Sequence, residues 1–359
     1  MSSRNVKPTG GTGRRATIAQ VAERAGVSRA AAGFVLSGRR DQRIADETWQ
    51  RVERAAAELG YRANQTARTL RTGTSGTIAM VSDYISTTSL ANAMIRGALR
   101  ELRERGLLLF TVETLGDLDA QEQAVTNLLD RQVDGFIFAT MFTREISLPS
   151  MLGSSPTVLL NCVPDNGAPV SYVVPDERAA GESAARVLVE AGHRRVAFIG
   201  TLPPGMTGGG AWEGAPPVAL RERLAGIRCV LDANGVDLVT QDVETDWDPL
   251  NGREAMTELL ADSRGATGII CANDALAVGA YQSLRAAGLS VPTDVSVVAF
   301  DDSPSAEWLM PPLTSVALPH EEMGRVAVRL LLDDGAGPHQ VRQPMAVKHR
   351  ASVGPPARP

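Results

Sequence analysis

The sequence predicts an α/β protein: a small helical head, then a larger core of two doubly wound subdomains. Three observations carry this expectation. From Thr77 onward, near-continuous apolar runs alternate with amphipathic helical stretches, the pattern of parallel strands covered on both faces. The alternation runs twice over similar lengths, so two sheets are expected. The first 73 residues instead show helical spacing and carry fourteen Arg or Lys against six Asp or Glu, while the remainder carries 22 against 35.

Residues 1–15 are basic and rich in Gly, Ser and Thr, which predicts a disordered arm that adds phosphate contacts. The head spans 16–62. Between Ala16 and Ser37, Ile18, Val21, Ala22 and Ala25 recur at helical spacing and Gly26 ends the helix. Val27 turns inward, Ser28 is placed to cap, and a second helix runs from Arg29 to about Leu36 with Ala32 and Val35 facing the first. This is helix-turn-helix spacing, in which the second helix enters the major groove N-terminus first. An ordinary helical hairpin inside a larger fold would show the same spacing. A third helix opens at Asp46 or Glu47, places Trp49, Val52, Ala55, Ala56 and Leu59 on one face, and ends at Gly60.

Residues 63–76 form a linker. Its Asn64–Arg71 stretch has a fair N-cap and helix formers, but one or two turns are marginal alone. The core spans 77–350. TIAMVS, LLLFTV, GFIFA and TVLL read as its first strands, with helices at Leu90–Arg105 and Ala120–Arg131. VAFIG, GIICA and VSVVAF follow, with helices Glu177–Ala191, Leu220–Asn234, Leu250–Asp262 and Ala275–Ala287. Helix Glu321–Leu332 and a strand near Val341–Lys348 close the core, and 351–359 is a tail.

Composition narrows the classes. No apolar run reaches the length of a membrane span, and the basic, polar start is neither a signal peptide nor an anchor. Cys162, Cys229 and Cys271 lack metal-ligand spacing and read as reduced thiols of a cytoplasmic protein. A phosphate loop, a nucleophile elbow and a metalloprotease helix are all missing, and His193, His320, His339 and His349 are scattered, so no enzyme, metal or cofactor is expected. His193 reads as a helix-end cap. The positive head on a negative body fits polyanion binding by the head alone.

Several short motifs occur in a fixed order: Ile18-Ala19-Gln20-Val21-Ala22, Ala25-Gly26-Val27-Ser28, Leu59-Gly60-Tyr61, Asn64-xx-Ala67-xx-Leu70, Gly192-His193, Arg223-xx-Gly226, Ala272-Asn273-Asp274, Asp301-Asp302 and Pro312-Leu313-Thr314. Together they make the chain resemble the lactose-repressor (LacI-type) family of bacterial transcription regulators over nearly all of its length beyond Ala16. The resemblance implies crossing strands between the subdomains, as in periplasmic sugar-binding proteins, with a ligand in the cleft. It implies a homodimer on pseudo-palindromic operator DNA. It also implies a short Asn64–Arg71 hinge helix that orders on the minor groove and wedges a base step with Leu70.

The candidate DNA-contacting residues are Thr17, Ser28, Arg29, Ala30, Phe34, Asn64, Ala67, Arg68 and Leu70. Arg29 can read guanine as a bidentate donor, and Ala30 or Phe34 can meet a thymine methyl. Phe34 packing inside the head is the other reading. Ala31-Ala32-Gly33-Phe34 departs from the Thr-Val-Ser-Arg of many relatives.

Ligands of open α/β sheets lie beyond the C-terminal strand ends. Asp83, Asn161, Asn273 and Asp301 fall there, Arg223 starts a helix, and Trp247 matches an aromatic sugar platform in some relatives. The candidate cleft set is therefore Asp83, Asn161, Arg223, Trp247, Asn273 and Asp301, for a sugar or related polyol. Helix caps and loop turns explain the acidic and amide residues equally, and for Asp302 that reading is preferred. Leu318 stands where a polar residue is common, and Trp212 is placed to reach the cleft. The expected function is a ligand-controlled repressor. A sensor of the same fold that has lost its DNA role is the alternative.

Overall fold

The computed structural model describes residues 16–38, 44–62, 69, 72–88, 90–201, 218–242, 247–261, 265–333, 335 and 337–357. The chain divides into two units, Met1–Ser75 and Gly76–Pro359.

In the first unit, α1 (Ile18–Ala25) begins with a capping box between Thr17 and Gln20 and ends at Gly26, whose φ of 65° suits glycine. Helix α2 (Arg29–Leu36) is capped by Ser28, whose Oγ accepts from the Ala31 N–H at 3.1 Å. Helix α3 (Asp46–Glu58) completes the head. Val21, Ala22, Ala25, Ala32, Val35, Val52, Ala55 and Ala56 form its core, with Val27 and Trp49 packed at the margin. Leu59, expected on the apolar face of α3, is instead 38% exposed, because it is the C-cap residue and the helix face has already turned away.

The second unit has two lobes. The first contains β1 (Thr77–Ser82), α4 (Asn92–Glu104), β2 (Leu108–Glu113), α5 (Leu118–Asp130), β3 (Gly135–Ile146), β4 (Thr157–Pro164) and β5 (Ser171–Pro175). The second contains α6 (Glu177–Glu190), β6 (Arg195–Thr201), α7 (Val218–Ala233), β7 (Asp237–Asp242), α8 (Pro249–Ala261), β8 (Gly268–Cys271), α9 (Asp274–Ala286), β9 (Ser296–Asp301), α10 (Pro304–Trp308) and β10 (Thr314–Ala317). The chain then returns through α11 (His320–Leu332) and β11 (Gln340–Gln343) to the first lobe, and through β12 (Val347–Lys348) to the second.

The first sheet has the order β11-β5-β4-β3-β1-β2 and is parallel throughout. The second has the order β12-β10-β9-β8-β6-β7, and only β12 runs antiparallel. The chain therefore crosses between lobes three times: after β5, after β10 and after β11. The single strand expected near Val341–Lys348 is two short strands in different sheets, separated by Pro344, which cannot donate to a ladder. The tail is less separate than expected. Ser352 Oγ accepts from the Thr314 N–H at 2.8 Å and donates to the Val297 carbonyl at 2.6 Å.

Three helix pairs touch backbone to backbone. A methyl group on Gly97 (α4) would overlap the Glu321 carbonyl of α11, and one on Gly324 would overlap the Met94 carbonyl. Gly181 (α6) meets the Arg223 carbonyl of α7, and Gly226 meets the Arg178 carbonyl. Gly252 (α8) and Gly279 (α9) interlock in the same way. A Gly226→Ala substitution should therefore destabilise the core by about 1–3 kcal/mol or more, the cost of overpacking a filled site. Urea unfolding checks this, and an unchanged midpoint would show that the two helices are free to separate.

Candidate functional site

The first surface of interest lies on the head. Ser28, Arg29 and Ala30 open α2 and are exposed. Neither α1 nor α2 has an acidic residue in its first turn, whereas α3 has Asp46 and Glu47. Acidic side chains at a helix N-terminus neutralise its partial positive charge. The two helices of the turn motif thus keep positive ends open to an anion, and Arg29 adds a full charge. Thr17 is exposed but tied locally: it accepts from the Gln20 N–H, and its hydroxyl lies 3.1 Å from Gln20 Oε1. Phe34 is half-buried, so its ring is available neither wholly to the core nor wholly to solvent. Asn64, Ala67, Arg68 and Leu70 lie outside the described residues, as does Trp212.

The second is a cavity of about 160 Å³ inside the two-lobed unit. Five of the six cleft residues read from the sequence line it: Asn161, Arg223, Trp247, Asn273 and Asp301. Leu318 joins them as an apolar contributor. Asp83 does not line it. Asp83 lines a separate recess of about 20 Å³, where its carboxylate pairs with Arg144 at 3.1 Å and accepts from the N–H groups of Tyr84 and Met141. Burial pushes its pKa up against those partners.

The convergent residues play different parts. Arg223, 4% exposed, forms a two-pronged ion pair with Glu177, 2% exposed: Nε meets Oε2, and Nη2 donates to Oε1 at 3.0 Å. Nη1 donates to the Ala272 carbonyl at 2.7 Å, and the guanidinium lies 4.5 Å from the Phe300 ring centroid. The fork expected to face a ligand is thus largely engaged by protein. Asn161 is similarly occupied. Its Oδ1 accepts from Thr143 at 2.6 Å, its Nδ2 donates to the Thr140 and Met141 carbonyls, and its φ of 62° falls within β4, where the pairing with β3 shifts register. Asn273 caps α9 through the Leu276 N–H at 2.8 Å and donates to the Trp247 carbonyl at 3.0 Å, which seats the indole. Trp247 meets Phe142 edge to face, with centroids 6.2 Å apart, and together they give the cavity an aromatic side.

Asp301 differs. It ends β9 with a φ of 106°, a backbone region that side chains rarely adopt, and this strain aims the residue at the cavity. Burial pushes its pKa up, helped by the nearby Asp274 and Glu177 carboxylates and opposed by Arg223. Asp274 behind it is also raised by burial, while accepting from Ser315 at 2.7 Å and from the Ser303 N–H at 2.6 Å. Asp302 turns away and pairs with Arg350 at 2.6 Å.

Sequence reasoning missed Glu177, Thr88 and His320. Glu177 and His320 follow the first two lobe crossings, where no periodic pattern singles them out. His193, read as a cap, instead binds Thr267 Oγ1 at 2.9 Å and the Gly354 carbonyl at 3.0 Å, fastening the tail. Among the described residues no cluster of His, Cys, Asp or Glu could hold a metal ion.

The raised pKa of Asp301 has a consequence for stability. The folded state holds its proton more tightly than the unfolded chain, so Asp301 weakens the fold as pH rises from about 4 toward neutrality. Asp301→Asn removes this charge. Its stability relative to wild type should therefore be greater at about pH 8 than at about pH 5, measured by thermal unfolding, and equal differences would place the carboxylate in solvent.

Both surfaces fall within segments that match known families. Residues 17–64 match the family of bacterial regulatory proteins of lacI type, and residues 169–353 match the periplasmic binding protein-like domain. The ribose operon repressor of Escherichia coli K12 is 30% identical over 344 residues, spanning 95% of this chain and 97% of its own. The HTH-type transcriptional regulator CelR of Thermobifida fusca is 35% identical over 328 residues, spanning 89% and 92%. A CelR–cellobiose complex superposes with a TM-score of 0.63 at 30% identity, covering 94% of this chain and 100% of that one. The lac repressor dimer bound to operator and an anti-inducer gives 0.77 at 22% identity, covering 95% and 100%, and shares the fold. The chain belongs to the lacI family of bacterial regulatory proteins.

Proposed function

We propose that this chain is a homodimeric, cytoplasmic, sequence-specific DNA-binding repressor whose operator affinity is set by a sugar or related polyol bound in the cleft. The observation that carries the DNA reading is the exposed start of α2, where Ser28, Arg29 and Ala30 stand on an unneutralised helix end. Arg29 is the base-reading residue, Ala30 and Phe34 supply apolar contact, and Thr17 and Ser28 meet phosphate through the helix ends they cap. Residues 63–76, with Asn64, Ala67, Arg68 and Leu70, act as the hinge that joins head and core.

The effector reading rests on the cavity and on relatives. CelR was solved with cellobiose, and a LacI family regulator from Enterococcus faecium, 25% identical with a TM-score of 0.60, was solved with ribose. Asp301 accepts from ligand hydroxyls, and the Trp247 ring covers an apolar sugar face. Arg223 contributes the N–H groups that Glu177 and Ala272 leave over. These are recognition groups, and the relatives are regulators, so catalysis forms no part of the proposal. Dimerisation uses β2, the edge strand of the first sheet, whose alternate residues Leu108 and Phe110 are 64% and 42% exposed. The lac repressor relative was solved as a dimer.

Electrophoretic mobility shifts test the reading. If Arg and Lys of the head neutralise phosphates, the logarithm of affinity falls linearly with the logarithm of salt, by about 0.9 per phosphate contacted. A flat dependence sinks the DNA assignment. Arg29→Ala should cost about 1–3 kcal/mol on specific DNA and relax preference at one base pair per half-site. An equal loss on random DNA would make Arg29 a phosphate contact instead.

A further inference from the structure

Two buried polar atoms on the first-lobe wall of the cavity lack partners. His320 is 3% exposed, and its Nδ1 has no hydrogen-bond partner among the described residues. The Thr88 hydroxyl oxygen is in the same condition. Both residues line the cavity. Leaving such groups unpaired costs about 1–3 kcal/mol each, and native folds keep few of them. Two on one cavity mark a place where a ligand completes the bonding.

We propose that His320 and Thr88 together read a hydroxyl of the effector from the first lobe, opposite Asp301, and that the cleft selects an uncharged polyol over its phosphorylated or carboxylated counterpart. The proposal deepens the cleft reading above and rests on it.

The chemistry of each group follows from its surroundings. The Leu90 backbone beside the His320 ring favours its protonated form but is outweighed by burial, and Nδ1 is the unpartnered atom. In a neutral imidazole one ring nitrogen carries the proton and the other accepts, so Nδ1 can pair with a hydroxyl in either tautomer. Burial pushes the ring's pKa down to about 4, so the imidazole is neutral at physiological pH. Thr88 can both donate and accept. A ligand hydroxyl lying between them pairs with Nδ1 and with the Thr88 hydroxyl, donating to one and accepting from the other.

The charge balance disfavours anions. Arg223 is the one cation among the described residues lining the cavity, and Glu177 neutralises it. Asp301 adds a carboxylate, with Asp274 behind it. An anionic ligand would enter a site with no free cation among the described residues, where like-charge repulsion is poorly screened. Thr88 and His320 stand on the first lobe and Asp301 on the second. A polyol bonded to both holds the lobes in one relative position, the differential contact that a ligand-driven switch requires.

The test uses the full chain and a fixed panel: ribose, glucose and cellobiose, with ribose 5-phosphate, glucose 6-phosphate and gluconate as charged counterparts. Thermal shift and calorimetry measure binding to wild type, His320→Phe, His320→Asn, Thr88→Val and Asp301→Asn. At least one neutral sugar should bind and no charged compound should. His320→Phe and Thr88→Val should each weaken that sugar by about tenfold or more, the loss of one hydrogen bond to a buried partner. His320→Asn, whose amide offers both a donor and an acceptor near Nδ1, should recover most of the affinity. Without sugar, His320→Phe should melt at or above wild type, because it deletes an unpartnered buried group. A charged compound binding better than its neutral parent overturns the proposal. So does undiminished affinity in His320→Phe, or failure of every neutral sugar to bind. Asp301→Asn separates the two levels: sugar bound as well as by wild type moves the effector out of this cleft, whereas loss there with binding kept in His320→Phe sinks only the present inference.

Discussion

The buried ion pair of Arg223 and Glu177 is the constraint on which the cleft depends. Two charges this far from water carry a desolvation cost that their attraction seldom more than offsets, so stability is a poor reason for the pair. Position is a better one. Glu177 opens α6 directly after the chain leaves β5, and Arg223 lies one turn into α7. Their bond, with the Nη1 link to the Ala272 carbonyl, ties the lobe crossing, α7 and the end of β8 into one floor. It also leaves that floor nearly neutral, so the charge offered to a ligand is set by Asp301.

Three glycine contacts hold this floor and its walls, and each abuts a cavity residue. Gly181 admits the carbonyl of Arg223 itself. Gly97 admits the carbonyl of Glu321, the residue after His320. Gly279 and Gly252 admit the carbonyls of Pro249 and Leu276, two residues after Trp247 and three after Asn273. Helices packed at backbone distance tolerate little sliding, because closely packed interiors transmit displacement rather than absorb it. The side chains that face the cavity are therefore positioned by contacts made one turn away from it.

This explains what the sequence revealed and what it hid. Strands β1, β6, β8 and β9 were legible because both faces are buried and the runs are apolar throughout. Strands β5, β7 and β10 escaped: β7 reads DLVTQD at a sheet edge, and β10 is four residues long with buried Thr314 and Ser315 bonded to neighbours. Asp301 and Asn273 were legible because a polar residue closing an apolar strand stands out. What such a residue bonds to is not encoded locally. Asp83 and Arg144 are 61 positions apart, and Arg223 and Glu177 are 46 apart. The glycines of α4, α6, α7, α8, α9 and α11 look like helix weaknesses until each has a partner helix. Glu177, Thr88 and His320 sit at turns and crossings, where periodicity says nothing.

The placement of Glu177 and His320 also bears on how a ligand could move the protein. Each lies immediately beyond a lobe crossing, Glu177 two residues after β5 and His320 three residues after β10. Relative motion of two lobes is absorbed by backbone rotation at such connections. In many two-lobed folds the hinge lies away from the bound molecule, and the ligand acts on it through the walls. Here the first residue of the helix past each of two of the three crossings lines the cavity itself. A rotation at either crossing changes the direction of Glu177 or His320, and so alters the Arg223 floor or the position of His320 Nδ1 directly. A ligand bonded to these side chains would therefore act on the lobe crossings directly, without an intervening chain of contacts.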